Sequence, residues 1–187
     1  MNKGDIINFG CYDWRVLEVQ NDKALLISDK IIERKAYHSE WGNITWAECA
    51  LRSYLNDAFY NSFGDDKSRI AETRVTTGNN LWFGTRGGNA ANDRIFLLSI
   101  EEAVKYFGDS GQLKNKNPNS EFNIDDQYNA ARVARDKSGT AMWWWLRSPG
   151  CRKLSAAGVG FDGSVDVGGL SVGDSFGGVR PALWLNF

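Results

Sequence analysis

The sequence predicts an α+β domain with small antiparallel sheets, two main helices and long loops. Three observations support this prediction. β-Branched and aromatic runs near the N-terminus are separated by turn residues, two helix-capping patterns precede amphipathic segments, and glycine-rich stretches fill much of the C-terminal third. Because 42% of the 187 residues are hydrophobic, the chain can fill one buried core. We therefore treat residues 1–187 as a single domain.

Three N-terminal segments are predicted to form an antiparallel meander. Residues 5–9, 12–19 and 24–32 are rich in branched and aromatic side chains. The pairs Gly10-Cys11 and Asn21-Asp22 separate them and favour turns. This part of the chain is expected to be scaffold.

Two capping boxes predict the main helices. Thr45–Glu48 precedes an amphipathic segment, which predicts a helix over residues 46–59. Ser99–Glu102 opens a shorter predicted helix that runs through Tyr106 and that Gly108 ends.

Two polar stretches, residues 76–92 and 108–126, are longer than ordinary connections and are predicted to be loops. The alanine-rich residues 127–137 predict a third, short helix.

The C-terminal third is predicted to contain a β-hairpin between two apolar strands. Residues 142–150 and 178–185 are the apolar strands, and residues 156–161 and 164–167 flank the turn pair Asp162-Gly163. Glycines of this segment match the spacing of a dinucleotide-binding loop. The sequence Ser-Val-Asp-Val that follows them does not favour the helix that such a site requires, so no dinucleotide is expected.

Charge and hydropathy exclude two classes of partner. The formal net charge is -1, from 22 basic and 23 acidic residues, so no net field attracts nucleic acid. No apolar run approaches the roughly 20 residues that cross a bilayer, and the N-terminus lacks the apolar stretch of a signal peptide. We expect a soluble protein that neither binds nucleic acid nor inserts into a membrane.

Few residues are suited to catalysis or metal binding. Cys11, Cys49 and Cys151 are far apart, and His38 is the single histidine, so neither a disulfide framework, a zinc site nor an acid–base pair is indicated. Paired aspartates in two loops are interpreted as solvated carboxylates, with a structural calcium at residues 123–126 left open. We assign no metal, no cofactor and no catalytic residue.

Trp143, Trp144 and Trp145 are consecutive, so in a strand the middle ring faces away from the other two. We expect at least two of the three rings to be buried. The alternative is an aromatic platform that stacks on a sugar or a base.

Several motifs occur together along nearly the whole chain. In the C-terminal part they lie at residues 144–150 (WWLRSPG), 162–165 (DGSV) and 178–183 (GVRPAL), and in the N-terminal part at residues 9–17, 25–28, 45–56 and 96–99. In combination they resemble the bacterial and phage domain family of unknown function called DUF6273.

The resemblance implies a C-type-lectin-like fold, distantly similar to the formylglycine-generating enzymes, in which a C-terminal strand pair frames long ligand-binding loops. It also implies the role of a variable protein of a diversity-generating retroelement. In such elements, error-prone reverse transcription replaces template adenines and randomises chosen codons, usually Asn codons, near the C-terminus.

This implied role can be tested on the composition of residues 151–178. Randomising both adenines of an Asn codon never gives Lys, Glu, Gln, Trp or Met. These five types make up 31 of the 187 residues, so about five are expected by chance in 28 residues, whereas only Lys153 occurs. The deficit favours a variable origin, although glycine richness alone would also lower the count.

Residues 151–178 are therefore predicted to be a variable ligand-binding region. Ala157, Val159, Val165 and Val167 are expected to point inward, because side chains alternate along a strand. The predicted ligand-contacting residues, with the two phenylalanines and the arginine as the strongest contacts, are Arg152, Leu154, Ser155, Gly158, Gly160, Phe161, Ser164, Asp166, Leu170, Ser171, Asp174, Ser175 and Phe176.

The predicted function is non-catalytic binding of a protein or cell-surface ligand, in a location left open between a phage virion and a bacterial surface. The alternative is a carbohydrate-binding lectin-like domain, with a fixed site at Trp82 or at the ring cluster of residues 143–145 and with calcium-bound carboxylates. An enzyme similar to the formylglycine-generating oxidases would need two neighbouring cysteines near the C-terminus. Only Cys151 lies in that third of the chain, so we do not expect an enzyme.

Overall fold

The computed structural model describes residues 1–40 and 42–187. The strands are, in chain order, β1 Ile6–Phe9, β2 Tyr12–Val19, β3 Lys23–Ser28, β4 Glu33–Arg34, β5 Thr73–Val75, β6 Ala91–Asp93, β7 Ile95–Phe96, β8 Asn123–Ile124, β9 Ala134–Arg135, β10 Ala141–Met142, β11 Trp144–Pro149, β12 Ser155–Val159, β13 Val165–Ser171, β14 Gly178–Val179 and β15 Ala182–Asn186. The helices are α1 Ala50–Tyr54, α2 Ile100–Phe107 and α3 Asn129–Arg132, with 3-10 turns at Trp46–Glu48 and Gly64–Arg69 and a π-helical turn at Leu55–Phe59. The fold is thus α+β, with several small sheets and few helices, as predicted. In the described part of the chain, no helix has the length and apolar character needed to span a membrane.

The first sheet brings the N-terminal meander next to the last strand. Its order is β1-β2-β3-β15-β7, and every neighbouring pair is antiparallel. The strand β15 pairs with β3 from Ala182 opposite Ile27 to Asn186 opposite Lys23, and with β7 on its other side. Because β15 lies between two strands, its backbone hydrogen-bonding groups are used on both edges.

The second sheet carries the C-terminal hairpin. Its order is β4-β14-β11-β12-β13-β8, with β11 and β14 parallel and the other pairs antiparallel. All six residues of β11 are buried, which agrees with its apolar sequence and central position. Two two-stranded ribbons, β5 with β6 and β9 with β10, lie outside these sheets.

The first predicted helix, residues 46–59, begins later than expected. Thr45 makes no side-chain cap to the backbone, since its hydroxyl donates to the Glu48 carboxylate at 3.1 Å, and only a 3-10 turn follows. The backbone is then extended at Cys49, whose Sγ accepts the N–H of Arg52 at 3.3 Å and caps α1. The predicted helix is therefore interrupted before α1.

The helix α2 begins at the predicted capping box. The Ser99 hydroxyl accepts the N–H of Glu102 at 3.2 Å, and the Glu102 carboxylate accepts the N–H of Ser99 at 2.9 Å. Gly108, with φ of 131°, follows the last turn. Glu102 also accepts from Arg147 Nη2 at 3.0 Å, so the residue that caps α2 joins it to β11.

The third predicted helix, residues 127–137, is shortened to the four residues of α3. Val133 has φ of −54° and ψ of 127°, and the chain then enters β9. The guanidinium of Arg132 lies 3.0 Å from the Asp126 carboxylate, and both side chains are almost fully buried. This buried ion pair holds the segment against the core.

Candidate functional site

The candidate site is built around the hairpin of β12 and β13. The N–H of Gly160 donates to the Ser164 carbonyl at 2.8 Å, so the connection consists of Phe161–Gly163. Gly163 has φ of +86°, as the last residue of a three-residue hairpin loop usually does. The predicted hairpin is confirmed, but its connection is one residue longer than the predicted pair Asp162-Gly163, because Phe161 lies in the connection and not in the strand.

The four predicted inward residues, Ala157, Val159, Val165 and Val167, are at most 1% exposed. Val159 lies opposite both Val165 and Trp144, so Trp144 is on the same side of the sheet. The hairpin therefore has a core-facing side, and the prediction of its members is confirmed.

The predicted contact residues are spread along the length of the hairpin. Ser155 pairs with Ser171 at one end, and Val159 pairs with Val165 four residues further along β12, about 13 Å away at 3.3 Å per residue. We call these the loop end and the turn end. Phe161 lies at the turn end and Arg152 at the loop end, so these two predicted contacts do not share one compact patch.

At the loop end, a serine hydroxyl holds the backbone. Ser155 Oγ donates to the Arg152 carbonyl at 2.9 Å and accepts the N–H of Arg152 at 3.2 Å. The N–H of Val172 donates to the Leu154 carbonyl at 3.0 Å. These bonds fix the turn and leave Arg152 and Lys153 as its exposed side chains.

Residues 172–177, which we call the crossing segment, run from the loop end across the sheet to β14. The first and last carbonyls of this segment accept the N–H groups of His38 and Lys35, each at 2.9 Å. The Asp174 carboxylate accepts the N–H of Phe176 at 2.8 Å, whereas the Phe176 side chain is 65% exposed. The segment thus has a backbone fixed by hydrogen bonds and one large exposed ring.

The aromatic run divides between the core and the site. Trp144 and Trp145 are fully buried, which confirms that at least two of the three rings are core. Trp143 is half-buried and packs edge-on against Trp145, with ring centroids 4.7 Å apart. Trp143 Cε3 and Leu170 Cδ1 lie 3.8 Å and 3.6 Å from the position that a Cβ on Gly158 would take. Trp143 therefore belongs to the same surface as Leu170, although it was not among the predicted contacts.

Five of the predicted contact residues are exposed and most of the others are half-buried. The exposed residues are Arg152, Phe161, Ser171, Ser175 and Phe176, and the half-buried ones are Leu154, Ser155, Gly160, Asp166, Leu170 and Asp174. Phe161 is 69% exposed, the largest exposed fraction among the large apolar side chains of the described chain.

The prediction that Gly158 and Ser164 face solvent is wrong. Gly158 is buried beneath Trp143 and Leu170. Ser164 is 7% exposed, and its hydroxyl donates to the Asp162 carboxylate at 2.8 Å. The strand β12 is internal to the sheet and covered on both sides, so alternation gives no solvent-facing position there.

Two carboxylates of the site have opposite pKa shifts. A hydrogen bond from the backbone N–H of Ser164 lowers the pKa of Asp162. Burial raises the pKa of Asp166, which accepts the N–H of Gly169 at 2.7 Å but has no ion-pair partner within the described residues. The folded state therefore disfavours the ionised form of the Asp166 carboxyl.

We expect Asp166→Asn to raise the melting temperature at pH 7. The folded state raises the pKa of this carboxyl, so ionisation above the unfolded pKa destabilises the fold. Below that pKa the carboxyl is protonated in both states, and the advantage of the variant should disappear. Thermal unfolding of both proteins at pH 7 and pH 3 measures this. An equal difference at the two pH values would contradict the assignment.

Candidate metal ligands and cysteine thiols do not form a cluster in the described part of the chain. Within residues 1–40 and 42–187, no group of three or more His, Cys, Asp or Glu side chains is placed to hold a metal ion. Burial raises the pKa of the Cys49 thiol to about 12, so it carries no reactive thiolate at neutral pH. Cys11 and Cys151 are not joined in a disulfide.

Two residues proposed for a fixed lectin site, Trp82 and Asp126, are bound to other side chains or backbone groups of the protein. Trp82 donates through Nε1 to the Leu113 carbonyl at 3.0 Å, and Lys116 Nζ lies 4.8 Å from the centre of its ring. In the stretch left open for calcium, Asp126 is paired with Arg132. Of the rings at residues 143–145, Trp143 is the one that is not fully buried.

A comparison with protein families finds one that covers most of the chain. The family described as Domain of unknown function (DUF6273) matches residues 21–187. No curated protein and no solved structure matches the chain. The matched stretch includes β3 to β15, and with them the whole second sheet and the whole candidate site. The chain therefore belongs to the DUF6273 family.

Proposed function

We propose that this protein is a non-catalytic ligand-binding protein with a C-type-lectin-like fold. Its C-terminal region displays side chains that vary between copies, as in the variable proteins of diversity-generating retroelements. The ligand is a protein or cell-surface molecule.

One observation carries the proposal, namely the separation between exposed and anchoring side chains within residues 151–178. Phe161 and Phe176 are 69% and 65% exposed, whereas Val159, Val165 and Val167 are at most 1% exposed. A binding module that changes its contacts needs this separation, because the fold must survive each change. Large exposed rings also suit the centre of an interface.

The backbone hydrogen bonds of the same region give a second reason. The bonds from Val172 to Leu154 and from Lys35 to Gly177 join main-chain atoms, so they persist when the side chains change. In the first sheet, the pairing of N-terminal strands with β15 supports the C-type-lectin-like assignment, since a C-terminal strand frames the loops.

Two libraries test the proposal. In the first, the five exposed positions Arg152, Phe161, Ser171, Ser175 and Phe176 are randomised with the codon mixture derived from AAC. In the second, five buried positions of the same region are randomised in the same way: Gly158, Ser164, Val167, Gly168 and Gly177. Both are displayed on yeast, and the fraction of protease-resistant clones is measured.

We expect most clones of the first library and few of the second to resist protease. Exposed substitutions usually change the free energy of unfolding by less than about 0.5 kcal/mol, whereas buried ones cost more. Selection of the first library on lysozyme, an unrelated test protein, should then yield binders. Equal loss of resistant clones in the two libraries would refute the proposal. In the genome, a reverse transcriptase gene beside a near-copy of the final coding segment, differing only at adenines, would support the retroelement origin.

The alternative function, glycan binding at a fixed site, is favoured by Trp143, whose side chain is half-buried and not fully enclosed in the core. A glycan array with and without a calcium chelator separates the two functions. A glycan signal that Trp143→Ala removes, and that substitution of the five exposed positions leaves intact, would favour the alternative.

A further inference from the structure

A second candidate binding site lies outside the hairpin. A cleft of about 680 Å³ is lined by residues 15–17 of β2, by the end of α2 at Tyr106 and Phe107, and by Ala130 and Ala131 of α3. This volume is within the range of small-molecule sites. No lining residue belongs to the region 151–178, so the site does not depend on the proposed function.

One wall of the cleft carries a buried arginine with an unused donor. Arg180 is 2% exposed and is stacked between two rings, with Cζ 4.9 Å from the centre of Trp144 and 5.3 Å from that of Phe107. Its Nε donates to the Ser28 carbonyl at 3.0 Å, but Nη1 is buried without a partner in the described part of the chain. Buried donors are rarely left unpaired, because the lost hydrogen bond with water is costly.

The charges around the cleft are strongly unbalanced. Five of its lining side chains are basic, namely Lys3, Arg15, Lys30, Arg135 and Arg180, against one acidic side chain, Asp29. The carboxylate of Asp29 is already paired with Arg15 at 2.9 Å. Lys3 and Lys30 are exposed and make no ion pair within the described residues. This arrangement suits a ligand that carries more than one negative charge.

The remainder of the wall is apolar. Val16 and Leu17 are buried beneath the cleft, and the half-buried Phe107 and Val133 face it. An apolar group of the ligand would pack here, while guanidinium and ammonium groups bind its anionic end.

We propose that this cleft binds a small organic phosphate. Its phosphate oxygens accept from the Arg180 guanidinium and interact with Lys3 and Lys30, and its apolar or aromatic remainder packs against Leu17, Phe107 and Val133. A guanidinium donates well-directed hydrogen bonds to phosphate, which explains why an arginine occupies the buried position.

Isothermal titration calorimetry of the whole chain tests the proposal with four probes. These are phenyl phosphate, inorganic phosphate, benzoate and benzyl alcohol. We expect saturable binding of phenyl phosphate, at least about tenfold weaker binding of benzoate and of inorganic phosphate, and no binding of benzyl alcohol. Equal affinities for phenyl phosphate and benzoate would refute the preference for phosphate. Equal affinities for phenyl and inorganic phosphate would refute the role of the apolar wall.

Three variants locate the binding without removing the buried arginine. Lys30→Glu reverses a charge at the rim, and Ala131→Trp fills the cleft from an exposed position of α3. Lys114→Glu makes the same charge change at an exposed residue that does not line the cleft. We expect the first two to weaken phenyl phosphate binding at least about tenfold and the third to change it less than about twofold. Equal effects of Lys30→Glu and Lys114→Glu, or a loss of affinity below about tenfold in Ala131→Trp, would overturn the proposal.

Discussion

Gly177→Ala is expected to destabilise the protein by about 3 kcal/mol or more. A Cβ at this position would lie 1.9 Å from Trp145 Nε1 and 2.8 Å from Trp143 Cη2. The ring of Trp145 cannot move aside easily, since it is fully buried and packs against Tyr37 with centroids 5.7 Å apart. Displacing it would also break the bond from its Nε1 to the Lys35 carbonyl, 2.9 Å long. Urea unfolding measures the change.

Gly173→Ala is the matched control, in the same crossing segment. No atom lies within 4 Å of the position of its Cβ, and neither glycine has a positive φ that an alanine would strain. We expect its free energy of unfolding to change by less than about 0.5 kcal/mol. Similar losses in the two variants would show that the whole segment, rather than the contact with Trp145, resists change.

Arg147→Met is expected to lower the free energy of unfolding by about 3–5 kcal/mol, because it leaves the Glu102 carboxylate without its partner in a largely buried network. Arg147 is 4% exposed and donates to the Leu97 carbonyl at 2.7 Å, to the Thr76 carbonyl at 3.1 Å and to both oxygens of Glu102. One guanidinium thus connects β11, α2 and the start of a long loop. Thermal and urea unfolding give the size of the loss.

Arg34→Met serves as the control for this second change. Arg34 lies 3.8 Å from Asp136, and the two side chains are 52% and 24% exposed. Exposed ion pairs contribute little, so the expected cost is below about 1 kcal/mol. A loss as large as that of Arg147→Met would mean that the surface pair, too, holds the fold together.

The sequence predicted the parts of the fold that depend on local chemistry. The box of Ser99 and Glu102 is formed as expected, because both hydrogen bonds join residues three apart. The box at Thr45 is not formed, since its two side chains bond to each other and Cys49 caps α1 instead. A sulfur cap has no strong sequence signal, which explains the error.

The candidate site was predictable to the extent that strand alternation decides it. Alternation gave the buried valines of the hairpin correctly, because neighbouring positions face opposite sides. Alternation could not predict the burial of Gly158, because the side chains that cover it come from other elements. Trp143 immediately precedes β11, and Leu170 lies in β13. The cleft at Arg180 was equally hidden, because its walls come from segments distant along the chain.

The internal position of β15 in the first sheet has a consequence for truncated forms of this protein. A polypeptide that stopped anywhere before β15 would lack the strand that pairs with both β3 and β7. Both strands would then expose unpaired backbone groups, which favour aggregation and proteolysis. Premature termination within residues 151–178 is therefore expected to leave no stably folded product.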